Sequence, residues 1–265
     1  MESVVDHPVA VFAISLVAMS IAALLGATLA RHSTLDEETH EFFGIVQTAT
    51  LTLLGLVVGF TFSMAVSRYD QRKAYEEEEA NAIGTEYIRA ELTPKAESEA
   101  VRAALRDYLD LRIAWYLETG EKQQREVEAK TALSQGKLWD AIRERATADP
   151  SPVMALVTSG MNDVLNTQGY TQAAWWNRIP PAAWALMLTL AVCANALVGT
   201  SVRSKARRTL LFVLPLIVAL SFLLIADIDS PRQGFITVLP RNLLSLAQSL
   251  GGDGQSHRQA EAGAK

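Results

Sequence analysis

Four uncharged apolar runs divide the chain: Val9–Ala30, Gly44–Ser67, Pro181–Val202 and Thr209–Ala226. A membrane-spanning helix needs about 20 such residues, with roughly 17–25 tolerated, so each run predicts a span. The stretch ahead of the first run, "MESVVDHP", is acidic, and the run is too long for a signal-peptide core. It therefore reads as a span and not as a leader.

Between the second and third runs the pattern changes to that of a soluble helical protein. The second span continues without a break to about Leu92, where "LTP" ends it, with Thr93 expected as N-cap and Pro94 as the first helical residue. Val101, Ala104, Leu105, Tyr108, Leu111 and Trp115 then recur at helical spacing, and Gly120 closes that helix. A further helix covers Gln123–Ala146, with Val127, Leu138 and Ile142 on one face. "ADPSP" stops it, and Ser151 with Pro152 starts another, whose apolar face carries Val153, Val157, Met161 and Val164. Trp175 and Trp176 suit the headgroup level just before the third span. No strand-like alternation occurs. The predicted fold class is an all-α membrane protein with four transmembrane helices, a helical insert between the second and third, and a second helix that runs well beyond the membrane. The expected division is 1–67, first hairpin; 68–179, helical cytoplasmic domain; 180–226, second hairpin; 227–250, post-membrane segment; 251–265, disordered tail.

Short loops, "RHSTLDEETHEFF" and "SVRSKARR", join the spans within each hairpin and must share one side of the membrane. The termini and the insert share the other. Arg68, Arg72, Lys73, Arg178, Arg232 and Arg241 flank the spans on the insert side; Arg31, Arg203, Lys205, Arg207 and Arg208 flank them on the loop side. That near balance gives the positive-inside rule little to act on. With no export signal for a charged insert, the expected placement is a multi-pass inner-membrane protein with termini and insert in the cytoplasm.

Gly44–Leu92 as one helix would be about 73 Å long, against a hydrocarbon core of about 30 Å. In its apolar half, Gly55 and Gly59 form a Gly-x-x-x-Gly pair among the small residues Thr48, Thr52 and Ser63 on one arc of the helix. Small residues let helices approach closely in lipid, which makes helix packing the plainer reading. The sharper one is a pore wall: Thr52, Leu56 and Phe60 follow at i, i+4 and i+8, beside Ser63, and apolar rings can gate by dewetting. Beyond the apolar run stand Glu76, Glu77, Glu78 and Glu79. Consecutive residues spread around a helix, so the plainer reading is a solvated surface. Around a shared axis, copies of them would make acidic rings that attract cations.

The net charge of −5 argues against a nucleic-acid partner, and the lone Cys193 allows no intrachain disulfide. The four histidines do not start a metal-ligand spacing, and no phosphate loop or nucleophile elbow is present. Ser63 has no intramembrane base to activate it. No enzyme activity, cofactor or metal is expected; membrane lipid, ions and further copies of the chain are.

The stretch "GFTFSMAVSRYDQR" resembles the bestrophin channels, which carry Gly-Phe in the second span and an Arg-aromatic pair nine residues after that Gly. Here these are Gly59-Phe60 and Arg68-Tyr69. "ADIDSPRQGFITVLP" resembles their acidic Pro-Gly segment after the fourth span, through Asp227, Asp229, Pro231 and Gly234. The fuller resemblance is to the bacterial bestrophin-like membrane proteins, from span two to about Leu243. It implies a homopentamer whose second spans line a pore, with Thr52, Leu56 and Phe60 at the hydrophobic neck. Thr52 departs from the bulky apolar side chain the family prefers there. The resemblance also implies a calcium-binding segment in animal members, but two carboxylates are too few for an ion wanting 6–8 oxygens. The expected function is an oligomeric ion channel or pore with a preference for cations; the alternative is a non-conducting membrane scaffold or sensor whose insert binds a partner.

Overall fold

The computed structural model describes residues 5, 7–32, 37–201 and 211–251. The expected disordered tail from 252 onward, residues 33–36 of the first short loop and residues 202–210 at the second lie outside them. The described residues are helical, without a strand among them. The helices are α1 (Pro8–His32), α2 (Glu37–Arg89), α3 (Lys95–Leu117), α4 (Glu121–Ala148), α5 (Pro152–Trp176), α6 (Pro181–Thr200), α7 (Val213–Asp229) and α8 (241–251). They fall into two compact units. Unit 1 holds Met1–Tyr69 and Asn177–Thr237; unit 2 holds Asp70–Trp176 and Val238–Lys265.

Three stretches are long and apolar enough to cross a membrane: within Pro8–Ala30, within Glu41–Leu92 and within Pro152–Thr200. The last is interrupted at Asn177–Pro180, where Pro180 and Pro181 forbid a continuous helix, and its more apolar part is α6. The fourth apolar run folds as α7, which has 17 residues.

Unit 1 packs α1 against α6 and α7. Its buried residues include the small or flexible Met19, Ala65, Met187, Ala191, Ala194 and Ala219, beside larger ones such as Leu54, Phe222 and Ile225. Two glycines set the closest approach. A Cβ on Gly26 would collide with the Ala196 carbonyl, and one on Gly199 with the Ala23 carbonyl, so α1 and α6 touch backbone to backbone. This is the packing that small residues permit where no water drives helices together. Large apolar side chains point outward instead, among them Ile21, Leu29, Ile217 and Leu220. In water such a surface would be an aggregation hazard; in hydrocarbon it is the ordinary exterior.

Unit 2 has the opposite arrangement, with an apolar core and a charged exterior. Ile83 and Tyr87 of α2 are buried, as are Val101, Leu105, Tyr108 and Trp115 of α3, Leu138 and Ile142 of α4, and Val157, Met161 and Val164 of α5. Ala104, Leu111 and Val127, expected on the apolar faces, are half-buried, and Val153 is exposed. The expected cap at Thr93 is a correction. The Thr93 hydroxyl turns back to the Ala90 carbonyl at 2.7 Å and closes a 3-10 turn over Ala90–Leu92. Pro94, held near φ −54°, is the N-cap of α3 without a side-chain bond. Ser151 does cap α5, accepting the Met154 N–H at 3.2 Å.

Candidate functional site

Of the helices, α2 carries most of the residues singled out from sequence. In unit 1 its inward face is Leu54, Thr61 and Ala65, with Leu51 and Val58 partly buried beside them. These positions recur three and four apart, the spacing of one helical stripe. Thr52, Gly55, Leu56, Gly59, Phe60 and Ser63 fall outside that stripe and are all exposed. Phe60 is 65% exposed and Leu56 53%. Nothing lies within 4 Å of a Cβ built on Gly55 or Gly59. Among the described residues, then, the glycine pair packs against no helix, and the close backbone-to-backbone helix contacts of unit 1 are those of Gly26 and Gly199. The hydroxyls on this side of α2 bond to their own helix: Thr48 to Gly44 and Thr52 to Thr48, each at 2.9 Å. Each threonine's donor is thereby satisfied, and the exposed side of α2 is less polar than its composition implies.

Arg68, at the end of this segment, lies 3.7 Å from Asp229 at the end of α7. Asp229 is fully buried. It accepts the Ile179 N–H at 3.2 Å and the Arg178 Nε–H at 3.1 Å. Asp227, two residues earlier on α7, accepts the N–H groups of Phe235 at 2.6 Å and Ile236 at 2.9 Å. Gly234 must lack a side chain, because a Cβ there would collide with the Asp227 carbonyl. The motif residues Arg68, Asp227, Asp229 and Gly234 therefore build a folded-back turn. Tyr69 packs on the unit 1 core, and Pro231 lies within the turn. Both carboxylates are committed to protein donors, and among the described residues no three His, Cys, Asp or Glu side chains form a metal-ion set.

The acidic run of α2 divides in unit 2. Glu77 and Glu78 are exposed, whereas Glu76 and Glu79 are buried. Glu76 accepts the N–H groups of Asn242 and Leu243 at 2.9 and 3.0 Å, and the Asn242 side-chain amide at 2.6 Å. It thus satisfies donors that the first turn of α8 leaves free, where the helix dipole favours an anion. Glu79 forms an ion pair with Arg112 through its Nε. It also takes the Tyr116 and Thr171 hydroxyls, both at 3.4 Å. The Arg112 guanidinium lies 4.6 Å from the centre of the Trp115 ring, which packs in turn on Trp175. Glu79 holds Arg112 charged despite its burial, and burial raises the Tyr108 and Tyr116 phenols. Sequence reasoning missed Arg112 and Asn242, and placed Arg178 only among the basic residues flanking the spans. Arg112 left a trace, a basic residue four positions from Tyr108 on an otherwise apolar face.

Three stretches long and apolar enough to cross a membrane, in a chain whose described residues are helical and whose unit 1 has an apolar exterior, mark a membrane protein. The family model for the Bestrophin-like domain matches residues 12–243, and the chain belongs to that family. Among solved structures, the chain is similar to crystal structures of two mutants of a bacterial bestrophin homologue from Klebsiella pneumoniae. The first is 13% identical, with a TM-score of 0.60 over 94% of this chain and 98% of that one. The second is 12% identical, with a TM-score of 0.58 over 89% and 98%. A third, described as a membrane protein, is 15% identical, with a TM-score of 0.59 over 93% and 96%. No curated protein matches the sequence.

Proposed function

We propose that the chain is a bestrophin-like ion channel in which several copies, five by the family resemblance, surround an axis lined by α2. The observation that carries this reading is the exposed side of α2 in unit 1. Thr52, Leu56, Phe60 and Ser63 lie together outside the stripe that packs on the rest of the chain. A helix of 53 residues, about 80 Å at 1.5 Å per residue, can supply both a membrane constriction and an aqueous vestibule. Leu56 and Phe60 form the apolar neck, which gates by dewetting. Thr52 joins them because its hydroxyl is held by Thr48. Gly55 and Gly59, with nothing against them among the described residues, admit a neighbouring copy of α2.

In this reading α7 completes a fourth span, and Asp70–Trp176 forms the cytoplasmic part. The acidic ring narrows to Glu77 and Glu78, since Glu76 and Glu79 are used within unit 2, and this pair supplies the cation preference. The test is the mass of the purified protein in mild detergent, followed by bilayer recording. A pentamer that passes cation-selective currents is expected; a monomer or dimer ends the axial-pore reading. A pentamer without current favours a membrane scaffold or sensor.

A further inference from the structure

Among the described residues, Glu86 is the acidic side chain of α2 that is fully buried with neither carboxylate oxygen hydrogen-bonded. Its setting is built around a glycine. A Cβ on Gly160 of α5 would overlap both Glu86 Oε2 and Arg89 Nη1, and would lie 3.1 Å from Glu86 Cδ. Glu86 Oε2 thus occupies the space at α5 where Gly160 has no side chain. Gly160 is inside a helix, so its own N–H is already used. Glu76 and Glu79, on the same helix, contrast with it: each is buried with several donors.

An ionised carboxylate without donors is costly to bury, and such a group normally stays neutral instead. The charges acting on Glu86 are Arg89, from its own helix, and Asp163, one turn beyond Gly160 on α5. Arg89 favours the anion, while burial and Asp163 oppose it, and burial dominates.

We propose that Glu86 is a proton-binding site in unit 2: protonated, it lets α5 seat on α2 at Gly160, and its ionisation unseats α5. The inference goes beyond channel activity and stands whether or not the chain conducts. The neutral acid fills the notch at Gly160 without needing a donor. Arg89 Nη1 already lies in the notch yet makes no hydrogen bond to Glu86, so the anion needs water, which enters only as α5 moves away. The carboxyl is pushed up to about 8 from an ordinary 4.5. The transition then falls in the mildly alkaline range. The native state holds a proton that the unfolded chain has released, so the site's stabilisation is full below pH 4.5 and disappears as pH rises through 8.

Thermal melting of the full-length protein in detergent from pH 5 to pH 9 tests the site, with wild type compared with Glu86→Gln. The wild-type Tm should fall with rising pH more steeply than that of Glu86→Gln, which carries a neutral side chain of the same shape throughout. Equal slopes would overturn the proposal. Hydrogen exchange across Pro152–Trp176, corrected for intrinsic rates, tests the unseating. Protection in α5 should drop between pH 6 and pH 9 in wild type only; a pH-independent pattern in wild type removes the conformational part. If Glu86→Gln does not fold, Glu86→Asp replaces it. Its shorter side chain withdraws the carboxyl from Gly160 and should move the melting transition to lower pH, and an unmoved transition overturns the assignment.

Discussion

Arg68 and Asp229 are joined by a 3.7 Å ion pair that links the end of the apolar half of α2 to the end of α7. Arg178 contributes a second guanidinium to the same buried carboxylate. Asp229→Asn should therefore leave two cations facing a neutral amide. Removing one partner of a buried pair costs about 3–5 kcal/mol, and the partial solvent access of both arginines puts this case near the lower figure. A melting curve of the purified variant measures the loss. A Tm within a degree or so of wild type would make the pair a surface contact in effect.

Replacing Glu76 by Ala should loosen α8. Two backbone donors of its first turn and the Asn242 amide lose their acceptor, and a buried donor left unsatisfied costs about 1–3 kcal/mol. Limited proteolysis, with cleavage appearing within 241–251 before the rest of unit 2 is attacked, is the readout. Glu77→Ala is the control and should leave the cleavage pattern unchanged.

Gly199→Val should weaken unit 1. The new side chain meets the Ala23 carbonyl, which is backbone and cannot rotate away. Overpacking of this kind costs about 1–3 kcal/mol. At Gly59 an added Cβ has nothing within 4 Å among the described residues. If α2 packs on a neighbouring copy there, Gly59→Val should disrupt the oligomer and spare the monomer's Tm in detergent, so size-exclusion mass and melting together separate the two glycines.

Phe60→Ala should raise open probability in bilayer recordings if Phe60 forms the apolar constriction. Leu56→Ala should act in the same direction. Loss of a bulky apolar ring makes wetting easier. Unchanged currents from both variants would remove the neck from this part of α2.

The double change Glu77→Gln with Glu78→Gln should move the reversal potential in a salt gradient towards that of a non-selective pore, with little effect on stability. Glu79→Gln should do the reverse. It breaks a buried pair with Arg112 and so lowers the Tm, yet leaves selectivity unaltered.

The acidic run shows what a one-dimensional reading misses. Four adjacent glutamates look alike in sequence, and a helix points them in different directions. Which two face water depends on where α5, α3 and α8 pack, and the donors that occupy Glu76 and Glu79 come from residues as distant as Asn242 and Arg112. The glycines behave in the same way. The Gly-x-x-x-Gly pair of α2 is the conspicuous motif, yet the close helix-to-helix backbone contacts of unit 1 are made by Gly26 and Gly199, which no motif marks. The turn after α7 was visible as Asp227, Asp229, Pro231 and Gly234, whereas its partner Arg178 was visible only as a basic residue near a span.

The sequence by itself determined the all-helical class, the apolar runs and the continuation of α2 beyond its apolar half, because these follow from local hydropathy, helical period and the absence of breakers. Its family followed from short motifs. Only the tertiary structure decided which side of each helix is buried, which charges are paired and where a carboxyl lacks donors. Those outcomes depend on side chains that meet across long separations in the chain, and spacing along one helix carries no information about what packs against it.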